Sequence, residues 1–334
     1  MSTRPDLGPV ASTLMRISIN GTSVVGPADL GVLLDHARTA AADGFDTWWL
    51  AQTGLVDTLT LFAVIGREVP GIVLGTAVVP TFTRHPTTLA GQALSTAALI
   101  GDPSRLVLGI GLSHKPAVED RYGLVFERPV RHLADYLDIL TPLLNEGRVA
   151  HHGDVWSTTL EANRPSVVAP SVMVAALGPQ VLRLAGRRTD GTLLWMVGAR
   201  TIAEHIAPII NTAAEEASRP APRIVASLPI CVTGDAAGAR QAAAQAFATY
   251  GQLPSYRAML DREGVAGPAD VAIIGSAAEV EDRLGGISQA GATEFSAESS
   301  PATPTKPPPP GPCSSPSGPR PADDARHGPT ADPA

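Results

Sequence analysis

Short apolar stretches alternate with longer segments of helical spacing from residue 15 to about residue 297. Residues 15–19 alternate at period two and predict a first strand. In residues 29–43, Leu30, Leu33, Leu34 and Ala37 recur on one helical face. The same reading places strands at 45–50, 72–79, 106–110, 171–176, 191–196, 223–232 and a short one at 293–295. Helices are expected from Asp57 to Glu68, at 86–100, at 129–146, after Gly178-Pro179, at 201–217 and at 277–290, with an alanine-rich helical region around 241–248. Residues 151–159 read as a small surface excursion with strand character. Eight strands separated by helices predict an α/β fold, a closed (β/α)8 TIM barrel, with a doubly wound open sheet as the alternative.

Beyond residue 297 the pattern stops. Twelve of the 31 prolines fall between Pro301 and Pro333, and such a stretch buries too little apolar surface to order itself. The chain therefore divides into an extension at 1–14, a barrel at 15–297 and a Pro-rich tail at 298–334, expected to be disordered. Proline inside a helix costs ~3 kcal/mol, so the tail cannot form the helix that should follow the eighth strand. The final helix is expected to be missing. The apolar surface left between the first and seventh helices would lower stability or recruit a second subunit, as a homodimer.

Composition narrows the function. With 334 residues, 44% of them hydrophobic, the chain can bury a large core. A net charge of -7 argues against a nucleic-acid partner. No apolar window reaches the ~20 residues of a membrane span, and no secretory leader is evident in residues 1–14. Cys231 and Cys313 are the only cysteines, which fits a reducing, cytoplasmic setting. No HExxH, paired CxxC or phosphate-binding glycine loop of the Walker type occurs, so no metal is expected. Ser113-His114 lacks the facing geometry and acid that nucleophilic catalysis needs.

In such a barrel the active site lies at the carboxyl ends of the strands. The segments there resemble a known family. Leu74-Gly75-Thr76-Ala77-Val78-Val79-Pro80 with Thr83-Arg84-His85-Pro86, Leu108-Gly109-Ile110-Gly111 with Ser113, and Tyr122-Gly123 with Glu127-Arg128-Pro129 follow one another in order. Ala175-Ala176-Leu177-Gly178-Pro179, Ala185-Gly186-Arg187 and Asp190-Gly191 continue the series. Together they resemble the bacterial-luciferase-like superfamily, most closely its coenzyme F420-dependent oxidoreductases.

The resemblance implies a cis peptide at Ala77–Val78 behind the cofactor ring and backbone N–H groups of Ala176, Leu177, Gly178 and Gln180 on its phosphate. Gly111 and Ser113 would lie beside the ring or its ribityl chain. An ordinary strand end, a turn and plain helix-entry punctuation are the structural alternatives at these three places. Where relatives carry a histidine after the second strand, this chain has Gln52, expected to face the ring without exchanging protons. His85 and His114 are the titratable candidates, each equally readable as a structural histidine. Arg200 stands near the place of a phosphate-binding lysine of some relatives. Of the tryptophans, Trp48 and Trp49 should face opposite ways, one lining the barrel mouth.

The implied chemistry is hydride transfer between F420 and a small organic substrate. The alternative is an FMN-dependent monooxygenase served by a cofactor-reducing enzyme. Gln52 in place of a histidine motivates a third reading, a non-catalytic cofactor-binding barrel.

Overall fold

Helices begin where a short polar side chain can accept from the first turn: Asp29 accepts from the N–H groups of Gly31 and Val32, and Asp57 from that of Thr60. The computed structural model describes residues 15–26 and 28–299. Its first part runs β1 (Arg16–Asn20), α1 (Leu30–Ala42), β2 (Thr47–Leu50), α2 (Thr58–Glu68), β3 (Val73–Thr76), β4 (Val79–Pro80), α3 (Pro86–Ile100) and β5 (Leu106–Gly111). Then come α4 (Pro129–Glu146), the antiparallel hairpin β6 (Arg148–His152) and β7 (Ser157–Glu161), β8 (Ser171–Ala175), α5 (Pro179–Arg188) and β9 (Gly191–Trp195). Next are α6 (Ala199–Thr201), α7 (Ala207–Glu216) and β10 (Arg223–Val232). The chain ends in α8 (Ala236–Ala246), α9 (Pro254–Glu263), α10 (Pro268–Val271), β11 (Ile273–Gly275), α11 (Ala277–Gln289) and β12 (Glu294–Ser299).

Strand β1 pairs in parallel with β2 and β12, and β10 pairs in parallel with β9 and β12. Strands β12, β1, β2, β3, β5, β8, β9 and β10 therefore close into an eight-stranded parallel barrel, which removes the edges of an open sheet. The helical periodicity of 129–146 is explained by burial: Leu133, Tyr136, Leu137, Leu140 and Leu144 are all in the core. No helix among the described residues is long and apolar enough to cross a membrane.

Period two fixes what fills the barrel. Trp48 points outward, its Nε1 donating to His36 Nδ1 at 2.9 Å, with Phe62 beside it. Trp49 points inward and packs with Val107, Met173, Leu193 and Val225. Its Nε1 donates to Glu294 Oε1 at 2.8 Å and Ser18 Oγ at 3.1 Å. A Cβ on Gly75 would lie 2.3 Å from the Trp49 ring, so a glycine is required for this ring to cross the interior. Glu294, wholly buried, also accepts from Arg223 at 2.8 Å and pairs with Arg16 at 3.4 Å. Trp49 thus fills the interior with its indole N–H turned to the amino-terminal end. Neither member of the Trp48–Trp49 pair lines the mouth, because inward position 49 lies one layer below it.

The cis bond that the resemblance implies at Ala77–Val78 is present, and it breaks the third strand into β3 and β4. Strand β11, hidden in a helical region, pairs with the far end of β10. The excursion expected at 151–159 is the hairpin β6–β7. The eighth strand is longer than 293–295 and runs two residues past the boundary at 297. The extension at 1–14, the Pro-rich tail beyond Ser299 and the missing final helix lie outside the described residues.

Candidate active site

Continuing each strand's inward alternation to its carboxyl end brings Asn20, Ala51, Ala77, Gly111, Ala175, Trp195, Ser227 and Glu298 around the barrel mouth, with Val78 beside Ala77. On one side lie Ala77, Val78, Gly111 and Ala175, all small or branched apolar residues. A Cβ on Gly111 would meet Val78 Cγ2 at 2.6 Å and the Ala175 Cβ at 3.3 Å. Val78, Gly111 and Ala175 therefore form one close-fitting apolar face. The Ala77 N–H donates to Leu50 O at 2.8 Å and the Gln52 N–H to Val78 O at 3.3 Å, which ties the broken third strand to the second. Next in the chain, Ser113 takes a left-handed backbone (φ 62°), uncommon outside glycine.

Helix α5 opens beside this face. Its N-cap is Gly178, no side chain caps it, and Pro179 fills its first position. Around Gly178 the space where a Cβ would sit is open, and Gln180 is exposed. The preceding loop is fixed from behind: His205 Nε2 donates to Leu177 O at 2.9 Å, and Ala176 is buried. A helix start of this kind presents N–H groups and a partial positive charge to an anion. The neighbouring helix start is different. The Glu263 carboxylate accepts from the N–H groups of Arg200 (3.2 Å) and Thr201 (2.8 Å) and from Thr201 Oγ1 (2.6 Å). That start already holds an anion, and the Arg200 side chain pairs with Glu204 at 3.1 Å on the surface. Arg200 is thus not directed to a phosphate.

The three residues singled out as catalytic are not brought together. Gln52 bridges its own loop: Nε2 donates to Val56 O at 2.8 Å, and Oε1 accepts from the Thr58 N–H at 2.9 Å. The expectation that its carboxamide faces the ring is corrected, because both ends serve the entry to α2. His85 is the N-cap of α3, its Nδ1 accepting from the Thr87 N–H at 3.2 Å, and it lies edge-on to Trp156. Its Nδ1 thus serves the start of α3. His114 stays at the mouth, 5.4 Å from the Tyr256 ring, and burial lowers its pKa below the usual imidazole range.

On the other side of the mouth the sequence pointed to Trp195 at a strand end but not to its neighbours. Trp195 lies edge-on to Phe247 and Tyr250, and Tyr250 edge-on to Tyr256. With His114 they form an aromatic wall from β9 to the loop after β5, and burial pushes both phenols up. Next to this wall Asn20 Nδ2 donates to Ser227 Oγ at 3.4 Å, and Ser227 Oγ donates to Ser296 O at 2.9 Å. Asn20 Oδ1 accepts from Thr22 N (2.9 Å) and Thr22 Oγ1 (2.6 Å). Glu298, 5% exposed, completes the ring. Its Oε2 has no hydrogen-bond partner among the described residues, and burial pushes its carboxyl up to about 8. The signal was present: Glu294, Ser296 and Glu298 alternate with Phe295 and Ala297, a strand with its polar side turned inward.

A cluster away from the mouth has ligand-type atoms within 4.8 Å, from Asp135, Asp138 and His151. Asp135 there accepts from the N–H groups of Val155 and Trp156, and Asp138 pairs with Arg188. These carboxylates are engaged by the hairpin and by arginine.

The sequence matches the profile of the luciferase-like monooxygenase family over residues 12–294. It is 27% identical over 267 residues to an uncharacterised protein of Mycobacterium tuberculosis, covering 75% of this chain and 76% of that one. It is 31% identical over 185 residues to the F420-dependent hydroxymycolic acid dehydrogenase of the same organism, covering 51% of this chain and 49% of that one. To the F420-dependent glucose-6-phosphate dehydrogenase of Intrasporangium calvum it is 30% identical over 213 residues, covering 58% and 62%. The coenzyme F420-dependent tetrahydromethanopterin reductase of Methanopyrus kandleri shares the fold, with a TM-score of 0.74 at 20% identity over 87% of this chain and 94% of that one. So does the FMN-bound oxygenating constituent of 3,6-diketocamphane monooxygenase from Pseudomonas putida, with a TM-score of 0.67 at 16% identity, covering 86% and 92%. The closed barrel, the broken third strand and the extent of the sequence match agree: the chain belongs to the luciferase-like monooxygenase family.

Proposed function

We propose that this chain is a coenzyme F420-dependent oxidoreductase acting on a small organic substrate. The observation that carries the reading is the apolar face of Val78, Gly111 and Ala175 lying beside a helix start that no side chain caps. A planar tricyclic ring with a phosphate on a flexible chain fits both features. The ring would lie against Val78 and Gly111, and the phosphate would take the N–H groups around Leu177, Gly178 and Gln180. Bound there, a deazaflavin supplies or accepts a hydride.

The chain's own residues supply position and a water-poor surround. Val78 and Gly111 keep one face apolar. The wall of Trp195, Tyr250 and Tyr256 shields the mouth from water on the β8–β9 side, next to the opening of α5. Gln52 holds the loop after β2 in place and exchanges no proton. The mouth nonetheless contains an ionisable group, Glu298, which weakens the case for a non-catalytic barrel.

Preference for F420 over FMN rests on the relatives at 30–31% identity, which are named as F420-dependent, and on the segment Thr83-Arg84-His85-Pro86. The FMN-bound monooxygenase favours a second reading, one that needs oxygen and a partner that reduces flavin. Anaerobic oxidation of reduced F420 against a panel of enones, imines, ketones and quinones tests the proposal. Turnover with at least one class is expected. Turnover only with reduced FMN and oxygen would replace it with the monooxygenase reading.

A further inference from the structure

We propose that Glu298 is the proton donor of this site, giving its carboxyl proton to the oxygen or nitrogen of a substrate carbonyl or imine. The inference rests on the oxidoreductase reading above and assigns its acid. β12 turns three side chains into the barrel, and their surroundings differ. Glu294, at the amino-terminal end, is held by Arg223, Arg16 and the Trp49 indole. Ser296 sits one layer up, inside. Glu298 reaches the mouth, between its register partners Asn20 on β1 and Pro229 on β10. In barrel order β12 is the eighth strand and β5 the fourth, so Glu298 faces the Gly111 side from across the opening. A ligand lying on the Val78–Gly111 face has this carboxyl on its far side.

The groups that bear on Glu298 are the hydroxyl and N–H of Ser23, just after β1, and the phenol of Tyr250 from the connection after β10. Asn20 and Ser227, the polar side chains beside it, are neutral. None of these carries a positive charge. The two glutamates of one strand thus divide: arginines neutralise the lower carboxylate, and burial keeps the upper one as the acid. Its Oε2 is buried and has no hydrogen-bond partner among the described residues.

The hydride that forms the new C–H bond at the electrophilic carbon would come from a reduced deazaflavin held on the Val78–Gly111 face. The π pair of the C=O or C=N bond moves to the heteroatom, which forms its O–H or N–H bond with the Glu298 proton. Glu298 is left as a carboxylate and regains a proton from water.

The full chain and Glu298→Gln are compared. Without cofactor, unfolding is followed in urea as a function of pH. The folded acid titrates at about 8 and the unfolded one near its ordinary value of 4.5. The folded state therefore holds the extra proton between these values. Wild type should lose stability relative to Glu298→Gln as pH rises through that window, and the difference should be flat above it. With F420, affinity should agree within about threefold, whereas turnover should fall about a hundredfold or more in kcat with a smaller change in KM. If the variant does not fold, infrared spectra of the wild type decide. A protonated-carboxyl band should persist at about pH 7 and vanish by about pH 9. Parallel pH–stability curves, absence of that band, or turnover of Glu298→Gln above about a tenth of wild type would overturn the assignment. Failure of the wild type to bind F420 would instead remove the oxidoreductase reading, and the proton-donor role with it, while the cofactor-free curves still report whether Glu298 is protonated.

Discussion

Val78 Cγ2 occupies the space that any side chain at residue 111 would need, 2.6 Å from where a Cβ on Gly111 would be. The two residues come from strands that pair side by side, with Val79 opposite Ile110 and Pro80 opposite Gly111. The flatness of the candidate cofactor face is thus a joint property of the break in the third strand and a glycine in the fourth.

The first prediction follows from that pair. Gly111→Ala should push Val78 toward the mouth, cost about 1–3 kcal/mol of stability by overpacking and lower F420 affinity about tenfold. Adding Val78→Ala should recover most of both losses. A double-mutant cycle read by fluorescence titration and urea unfolding checks this, and additive losses would show that the two side chains do not compete.

At Gly178 stability and binding should part company. The open space around it accommodates a side chain, and aspartate is a good N-cap. Gly178→Asp should leave stability unchanged or raise it by a few tenths of a kcal/mol (about 0.3). The new carboxylate would occupy the anion position of α5, so F420 affinity should drop more than about tenfold. Equal affinity in the variant would place the phosphate elsewhere.

Gln52 is expected to act through its loop. Gln52→Ala removes the bonds to Val56 O and the Thr58 N–H and should cost about 1–3 kcal/mol, since both loop groups lose a partner. The pH profile of turnover should keep its shape. A displaced profile with unchanged stability would return Gln52 to the ring.

His132 gives a pH prediction of opposite sign to that of Glu298. It is 2% exposed, its Nδ1 accepts from Trp156 Nε1 at 3.2 Å, and burial lowers its pKa to about 4, with Asp135 opposing. The unfolded imidazole takes a proton near its ordinary value of 6.5 while the folded one stays neutral. Stability from this group is therefore full above the unfolded value and is lost as pH falls toward about 4, by a total on the order of 3 kcal/mol. His132→Gln should flatten that acid limb. Because Glu298 acts oppositely over part of the range, the difference between variant and wild type is the quantity to read. A His132→Gln curve parallel to wild type at acid pH would mean His132 is not held neutral.

The sequence was informative wherever a side chain's neighbours lie close in the chain. The helix starts at Asp29 and Asp57, the apolar stripe of α4 and the closed order of strands follow from local capping and periodicity. The broken third strand at Ala77–Val78 was visible only through resemblance to relatives. What escaped was set by distance in the chain. Whether Gln52 faces a ring or caps its own loop depends on how residues 52–58 turn, which periodicity does not encode. The role of Glu298 depends on Asn20 and Ser23, some 280 residues away in sequence, so the alternation of Glu294, Ser296 and Glu298 shows a strand face but not what that face meets. Glu263 at the start of α6 was illegible for the same reason, and it explains why Arg200 is left to the surface.

Calorimetric titration of the purified chain with F420 and, separately, with FMN tests the central claim most directly. The face at Val78 and Gly111 and the uncapped start of α5 predict saturable binding of F420 at one site per chain, at least about tenfold tighter than FMN, that is, by roughly 1.4 kcal/mol or more. Tenfold tighter binding of FMN, or no binding of F420, would contradict it.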